Sequence, residues 1–337
     1  MKHLLPKVDK YFKTNLHTHT NISDGHMTPE EIVERYKAAG YQVLAITDHN
    51  VIVDHSDKST EDFLLLTAVE VNINDEHYTP TQGFWGQTYH LNFISKTPHN
   101  LWQPVNVIRK RPTAAPYEDL VECENMPKVY DIDAINAIIA KGNEKGFLVM
   151  YNHPTWSCQR YPDYSQLKGL WAMELRNTEC CYIGVDENNA RVYSDLLRLG
   201  NRLFPTGTDD THSARALFGS WIMVGAQKLD YPTVIEALEK GDFYMSCGPE
   251  IKSLALDGEF LEIECSDAQK IFVETHTRTS RVAMAEPGTV LNHARIDLTK
   301  FFHWCNEVPR DNAYFRVTVT APDGSYAATR AYFLDEL

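Results

Sequence analysis

Short apolar runs alternate with amphipathic helical patterns from residue 10 to about residue 248. This alternation is typical of α/β folds, in which helices cover the sheet formed by the strands between them. The clearest helix is TPEEIVERYKAAG, where Thr28 can cap the first turn, Glu31 completes a capping box and Gly40 ends the helix. The alternation therefore predicts an α/β domain over most of the chain.

Two regions depart from this alternation. Residues 95–130 are rich in proline and contain the basic cluster Arg109–Arg111, which indicates an excursion over one end of the domain. After Gly248-Pro249 the helical pattern gives way to alternating segments separated by turn signals such as Asp323-Gly324. We therefore predict an α/β domain over residues 1–249 and a small antiparallel β-sandwich domain over residues 250–337.

The bulk composition restricts the partners of the chain. A net charge of −14 argues against a nucleic-acid duplex as the main partner, because duplex binding requires lysine and arginine to neutralise phosphates. No run of 18 apolar residues is present, and MKHLLPKVDKYFK lacks the apolar region of a signal peptide. The seven cysteines include no Cys-x-x-Cys pair, so we expect reduced thiols. These features predict a cytoplasmic protein without a membrane partner.

Residues that can bind metal lie at or just past the predicted C-terminal ends of separate strands. They are His17, His19, His49, Glu70, His153, Asp210 and His212. In a parallel α/β barrel these strand ends converge on one face, and the active site is built there. The spacing of two within His-x-His and Asp-x-His places both side chains of each pair on the same side of an extended segment. We therefore expect one shared site.

With Asp24 and His90, this set contains six histidines and three carboxylates. Imidazole and carboxylate ligands without thiolates suit zinc, manganese or iron, and a carboxylate can bridge two ions. Nine ligands are too many for one tetrahedral ion. They predict a site with two or three divalent metal ions.

Six motifs in order resemble those of the PHP (polymerase and histidinol phosphatase) family of metal-dependent hydrolases. They are LHTHTNISDG, ITDHN, AVEV, YHLNF, YNHP and GTDDTH. The later segments SWIMV and ALEKGDFYMSCGPEI resemble the branch that includes CehA-type esterases and carries a C-terminal β-domain. The resemblance spans roughly residues 14–250 and implies a distorted seven-stranded β/α barrel that holds up to three metal ions.

The resemblance also distributes the nine ligands. It implies His17, His19, Glu70 and Asp210 for a first ion, Glu70, His90 and His153 for a second, and Asp24, His49 and His212 for a third. Many relatives have a histidine where this chain has Asp24. We expect Asp210 rather than Asp209 to be the ligand, because the family pattern is Asp-x-His. Asp48 is expected to orient a ligand.

The resemblance implies hydrolysis by a metal-bridging hydroxide, with Glu70 and Asp210 as catalytic residues. Metal binding lowers the pKa of water from about 15.7 to about 7. Three divalent ions, three carboxylates and the hydroxide leave a site charge of roughly +2, which suits a small phosphate monoester. Arg176, Arg160 and Arg215 follow predicted strands or lie near the histidine loops, and are candidate phosphate ligands.

Three other functions remain open at this point. The same metal centre could hydrolyse a carboxylic or carbamate ester, which requires one Lewis-acidic ion and no anion-binding clamp. Alternatively, the metal could be structural, with the C-terminal domain binding carbohydrate or protein. A nuclease or proofreading role is disfavoured by the acidic charge and by the lack of a basic stripe.

Overall fold

The computed structural model describes residues 1–75, 86–107, 112–305 and 309–337, so the basic cluster Arg109–Arg111 lies outside the described residues. The strands are β1 (Lys2–His3), β2 (Tyr11–Asn15), β3 (Val43–Ile46), β4 (Leu64–Asn74), β5 (Thr88–Ser95), β6 (Trp102–Gln103), β7 (Glu122–Cys123), β8 (Phe147–Tyr151), β9 (Ala172–Asn177), β10 (Phe204–Thr208), β11 (Trp221–Gly225), β12 (Phe243–Ser246), β13 (Ile251–Asp257), β14 (Phe260–Ala268), β15 (Lys270–Thr275), β16 (Ser280–Met284), β17 (Leu291–Asp297), β18 (Tyr314–Thr320), β19 (Tyr326–Thr329) and β20 (Tyr332–Phe333).

The α-helices are α1 (Pro29–Ala38), α2 (Ile132–Glu144), α3 (Tyr161–Tyr164), α4 (Thr178–Tyr182), α5 (Ala190–Arg198), α6 (Tyr231–Lys240) and α7 (Thr299–Cys305). Short 3-10 segments lie at Ser56–Lys58, Pro112–Leu120, Ala214–Ala216 and Leu334–Glu336. Within the described residues, no helix has both the length and the apolar character needed to cross a membrane.

Helix α1 begins and ends as its sequence predicts. Thr28 Oγ1 accepts a hydrogen bond from Glu31 N at 3.2 Å, and Glu31 Oε2 accepts one from Thr28 N at 2.8 Å. This reciprocal pair satisfies two backbone donors at the helix start. Gly40 follows the helix with φ +78°, a left-handed conformation that favours glycine.

The strands around the predicted site form a closed circuit. Strands β2, β3 and β4 pair in parallel, β5 pairs antiparallel with both β4 and β8, and β8, β9 and β10 pair in parallel. The segments that follow β2 and β10 are joined by hydrogen bonds from Asp210 N to His17 O and from His19 N to Thr211 O, each 3.0 Å. These strands therefore surround one interior, and the predicted α/β class is confirmed.

Strand β5 corrects the expectation of a parallel arrangement. Because β5 runs against β4, residues near its start lie beside the end of β4, and His90 is directly opposite Asn72. His90 thus reaches the same edge as residues that follow the parallel strands. Glu70 also differs from the prediction, since it lies inside the long strand β4 rather than at its end.

The C-terminal half continues the sheet and adds a second one. Strand β11 pairs antiparallel with β2, and the sheet extends through β12, β19, β18, β15 and β16. A separate antiparallel sheet has the order β1-β13-β14-β17. Buried side chains from both sheets form one apolar core, among them Ile263 and Val317. Strand β19 pairs with β12, and β1 pairs with β13, so both ends of the chain contribute to this region. The domain boundary at residues 249 and 250 stays a prediction.

The excursion over residues 95–130 packs against two loops that carry predicted ligands. Ala114 lies in a buried cluster with Ile22 and Val51, which belong to the loops of Asp24 and His49. Gln103 is buried, accepts a hydrogen bond from Ile52 N at 3.0 Å and donates one to Asn50 O at 3.0 Å. The excursion therefore supports these loops.

Candidate metal centre

Glu70 lies at the centre of the predicted ligands. Its Oε1 is 3.2 Å from His17 Nε2, 3.0 Å from His90 Nδ1 and 3.4 Å from His153 Nε2. Its Oε2 is 3.2 Å from His19 Nε2 and 3.1 Å from His49 Nδ1. A buried carboxylate in contact with five imidazole rings has the arrangement expected of a ligand shared between ions.

Asp210 faces the same centre from the opposite side. Its Oδ1 is 3.1 Å from His17 Nε2 and 3.0 Å from His19 Nε2, and its Oδ2 is 3.7 Å from His153 Nε2. Asp210 has φ +52°, a left-handed conformation that is unusual for a residue other than glycine. Strain of this kind is found where the surrounding structure holds a functional side chain in place.

Asp209 points elsewhere, in agreement with the choice of Asp210. Its carboxylate accepts hydrogen bonds from Tyr36 Oη at 2.8 Å and from the backbone N–H groups of Phe218, Gly219 and Ser220 at 2.8, 2.8 and 3.1 Å. Burial raises the pKa of Asp209 to about 6. Asp209 therefore anchors the loop before β11 and does not face the ligands.

The predicted third ligand group is also assembled. Asp24 lies 3.6 Å from His49 Nε2 and 3.5 Å from His212 Nε2, and the Nδ1 atom of His19 is 3.7 Å from Asp24. His19 thus contacts two groups, one through each ring nitrogen. The nine predicted ligands meet in one place, and their assignment to individual ions stays a prediction.

Unsatisfied polar atoms test whether this centre fits metal ions. Glu70 Oε2, Asp210 Oδ1 and His49 Nδ1 are buried and have no hydrogen-bond partner of acceptable geometry. Buried polar atoms are normally paired, since an unpaired one costs roughly 1–3 kcal/mol. Ligand atoms here form groups that lie within 4.8 Å of one another. Divalent cations would satisfy these atoms, and imidazole with carboxylate suits zinc, manganese or iron.

The carboxylates and imidazoles of the cluster shift one another's pKa values. Burial alone would raise the pKa of Glu70, but His17, His49 and His90 hold it well below its usual range. Burial lowers the pKa of His19, yet the carboxylates of Asp210 and Glu70 outweigh this effect and raise that pKa to about 10. The carboxylates likewise raise the pKa of His17 and His153 against the effect of burial, whereas burial lowers the pKa of His49 and His90.

A cavity of about 860 Å³ opens above the cluster. Its wall includes the predicted ligands Asp24, His49, Glu70, His90, His153, Asp210 and His212. Arg215 also lines the cavity, with its guanidinium 5.0 Å from the centre of the Tyr182 ring. The cluster therefore forms the floor of a space large enough for a small substrate.

Arg160 and Arg176 do not line this cavity. Arg160 is exposed and donates hydrogen bonds to Asp163 Oδ2 and Gln87 Oε1, each at 3.2 Å. Arg176 donates to Asn188 Oδ1 at 2.8 Å. The pairing of β9 with β10 skips Leu175, which breaks the register just before Arg176. The roles of Arg160 and Arg176 as phosphate ligands stay predictions.

Residues 15–173 match the model of the PHP domain family, slightly less than half of the chain. This segment therefore resembles a PHP domain. The matched segment includes every predicted metal ligand except Asp210 and His212, which lie beyond it. Membership of the chain in the CehA-like branch stays a prediction.

Known proteins resemble this chain to different extents. A 5′-3′ exoribonuclease of Haemophilus influenzae is 32% identical over 128 residues, which are 35% of this chain and 43% of the relative. The match thus spans less than half of that relative's length. A solved two-domain protein from Bacteroides vulgatus, described as containing a predicted PHP-like metal-dependent phosphoesterase, is 16% identical over 98% of each chain, with a TM-score of 0.41. An amidohydrolase from Chromobacterium violaceum with bound sulfate is 16% identical over 60% of this chain and 88% of its own, with a TM-score of 0.38.

Glu174 supports the candidate metal centre and was missed by sequence reasoning. Its Oε1 accepts hydrogen bonds from His17 Nδ1 and Thr208 Oγ1, each at 2.6 Å. Its Oε2 accepts bonds from His153 N at 2.8 Å and Asn177 Nδ2 at 3.0 Å. A carboxylate in this position fixes the tautomer of a metal-binding histidine. The available signal was a glutamate inside the apolar strand LWAMELRN.

Two asparagines hold carboxylates of the candidate metal centre. Asn152 Nδ2 donates to Glu70 Oε1 at 2.8 Å, and Asn177 Nδ2 donates to Asp210 Oδ2 at 3.0 Å. Asp48 contacts the loop of a predicted ligand, and its role in orienting that ligand stays a prediction. It accepts hydrogen bonds from Thr20 N at 2.8 Å and Ser23 Oγ at 2.7 Å rather than from a ligand ring. Asp48 therefore fixes the loop that carries Asp24.

We expect the Glu174→Gln variant to lose about 10–100-fold in metal affinity or hydrolytic rate, the range typical for the partner of a metal-binding histidine. An amide group in this position must present N–H donors to groups that are themselves donors, which disturbs the His17 ring. Metal titration and steady-state kinetics measure the effect, with the exposed Glu34→Gln variant on α1 as the control. Unchanged metal affinity and rate would contradict a supporting role.

Proposed function

We propose that the protein is a metal-dependent phosphoesterase that hydrolyses a small phosphorylated molecule. The observation that carries this proposal is the position of Glu70, whose two oxygens contact five histidine rings at the floor of an open cavity. A centre of this composition, accessible to a ligand, has the properties of a catalytic metal site rather than a closed structural one.

Different groups of residues would hold each ion of such a site. His17, His19, Glu70 and Asp210 would hold one ion, His90 and His153 would join Glu70 around a second, and Asp24, His49 and His212 would hold a third. When bound, these ions would supply Lewis acidity and activate water at neutral pH. Glu174, Asn152 and Asn177 keep the ligand side chains in fixed orientations.

Charge favours a phosphate over a neutral ester. The carboxylates of Asp24, Glu70 and Asp210 contribute about −3, whereas three divalent ions would bring about +6, so the floor of the cavity would carry a net positive charge. Arg215 adds a cation to the wall. Positive groups placed in advance around a transferring phosphoryl group stabilise its developing charge.

We expect Arg215→Ala to lower kcat/KM for a phosphate monoester by about 10–100-fold, since hydrogen bonds to charged groups contribute roughly 1.5–3 kcal/mol. Arg215→Lys retains the charge but not the planar fork, so it should retain part of the rate. Hydrolysis of nitrophenyl acetate by the same variants serves as the control, because that neutral ester offers no phosphate to Arg215. Equal losses on both substrates would indicate that Arg215 only stabilises the loop.

The substrate class is tested by comparing nitrophenyl phosphate with nitrophenyl acetate in one metal-loaded preparation. The proposal predicts metal-dependent release of phosphate that exceeds release of acetate under the same conditions. Turnover of the acetate well above that of the phosphate would favour the alternative, a carboxylic or carbamate ester hydrolase. Turnover of neither would favour a structural metal and a binding function.

The exoribonuclease name of the relative raises a second candidate, hydrolysis of RNA. Among the described residues that line the cavity, Arg215 is the single lysine or arginine, and the wall also carries Asp75 and Glu179. Successive phosphates of a strand require several cations. We therefore expect no degradation of a short RNA oligonucleotide under conditions that release phosphate from a monoester.

A further inference from the structure

Two large apolar side chains line the cavity above the predicted ligands. Trp156 and Ile183 both line it and are 38% and 52% exposed, respectively. Large apolar side chains exposed in a concave site are a common feature of ligand-binding pockets, where the ligand removes them from water. Both side chains line the same cavity as Glu70 and Asp210 and are therefore accessible to a ligand of the proposed catalytic site.

The position of Trp156 is fixed by the fold. Its backbone N–H and that of Thr155 donate to the buried carboxylate of Glu187 at 2.6 and 3.0 Å. The indole ring contacts the rings of His90 and His153 in edge-on geometry, with ring centroids 5.5 and 5.0 Å apart. An aromatic surface is thus held beside the predicted ligands.

Ile183 is held on an element that also reaches the metal centre. It directly follows α4, and its backbone N–H donates to Glu179 O at 3.0 Å. The residue that caps α4 is Asn177, whose side chain donates to Asp210 Oδ2 at 3.0 Å. The position of Ile183 is therefore set by the same helix that contacts the catalytic carboxylate.

The rest of the wall is mostly neutral or acidic. Asn72, Asn74, Gln87 and Thr88 supply polar but uncharged groups. Arg215 is the single lysine or arginine that lines the cavity in the part of the chain that the structure describes. A ligand with one anionic group and an uncharged body fits this distribution better than one with several phosphates.

We propose that the substrate is a phosphate monoester whose alcohol carries an aromatic group, and that this group packs against Trp156 and Ile183. The inference rests on the proposed phosphoesterase function and adds the class of alcohol. In the reaction, an oxygen of water forms a bond to phosphorus, the bond from phosphorus to the alcohol oxygen breaks, and the alcohol leaves with a proton. The products are an aromatic alcohol and inorganic phosphate.

The test compares benzyl phosphate with ethyl phosphate on the metal-loaded protein. Both are monoesters of primary alcohols with similar leaving-group acidity, so a difference in kcat/KM reports the contribution of the ring. We expect benzyl phosphate to be preferred by about tenfold or more, the range that a few buried apolar atoms contribute to discrimination. Benzylphosphonate and ethylphosphonate, which contain no scissile ester, should show a similar ratio of Kd values by calorimetry.

Substitutions of Ile183 and Trp156 test whether these side chains cause the preference for benzyl phosphate. Ile183→Ser should reduce the benzyl preference several-fold, whereas Ile183→Val should retain it. Both variants should fold like the parent protein, because this side chain is exposed. Trp156→Phe retains an aromatic surface and should retain most of the preference. Metal content is measured for each variant, because Trp156 contacts two predicted ligands.

The outcomes separate this inference from the proposed function. Hydrolysis of both phosphates with kcat/KM values within about twofold of each other would overturn the aromatic class alone, as would a preference unaffected by Ile183→Ser. Hydrolysis of neither phosphate by the metal-loaded protein would overturn the phosphoesterase function and this inference with it.

Discussion

We expect Glu70→Gln to lower metal-dependent hydrolysis by more than about 100-fold, beyond the 10–100-fold typical of groups that only support a ligand. Glu70 is the carboxylate that contacts His17, His90 and His153 through one oxygen and His19 and His49 through the other. A glutamine would keep the shape but would replace one ligand oxygen with an N–H₂ group, which cannot bind a metal ion. The measurement is kcat/KM together with metal content at equilibrium.

Asp209→Asn provides a matched buried control for this result. It also replaces a carboxylate with an amide, but Asp209 binds Tyr36 and backbone N–H groups instead of facing the ligands. We expect it to lower the free energy of unfolding by about 1–3 kcal/mol through lost hydrogen bonds. Metal content per folded chain should remain that of the parent protein. A larger loss of metal in Asp209→Asn than in Glu70→Gln would contradict the site as described.

Removing the metal ions should abolish hydrolysis and lower thermal stability. At a free metal concentration about 100-fold above Kd, each site that exists only in the folded chain adds about 2.7 kcal/mol to the free energy of unfolding. The stripped cluster retains buried carboxylates and histidines whose charges no longer have an ion between them. Dialysis against a chelator, followed by kinetics and thermal unfolding, measures both effects.

Adding metal ions back to the stripped protein distinguishes a catalytic metal from a structural one. Addition of zinc, manganese or iron(II) to the stripped protein should restore turnover and stability together. If the metal is structural, stripping should unfold the chain, and the reloaded protein should hydrolyse no ester. If hydrolysis persists after complete removal of metal, the proposed function is wrong.

The meeting of the nine predicted ligands in one place could be predicted from the sequence because each lies in a short local motif on or next to a predicted strand. His17 and His19 share one extended segment, and Asp210 and His212 share another. The capping box of α1 is also local, and it forms as predicted. Such local structures can be predicted because they depend on residues that are close together in the sequence.

The supporting contacts could not be predicted in this way. Glu174 binds His17 across 157 residues of sequence, and Asn152 binds Glu70 across 82. Such pairs depend on which strands become neighbours and on which side of each strand faces inward. The pairing of β9 with β10, for example, skips Leu175 just before Arg176, a break in register that the sequence pattern does not reveal.

Helix α5 shows that tertiary contacts can also override a local sequence pattern. The pattern VDENNARVYSDLLRLG predicts a helix across residues 185–200, but the helix spans Ala190–Arg198. Glu187 instead accepts hydrogen bonds from the loop that carries His153 and Trp156. A tertiary contact thus replaces the first helical turn, and the helical propensity of these residues does not decide their structure.

The most direct test of the account is the number of metal ions bound per chain. Elemental analysis of the purified protein, after equilibration with zinc, manganese or iron(II) and removal of free metal, measures this number. The account predicts two or three ions per chain in the parent protein and fewer in Glu70→Gln. A parent protein that retains less than one ion per chain under all three conditions would contradict it.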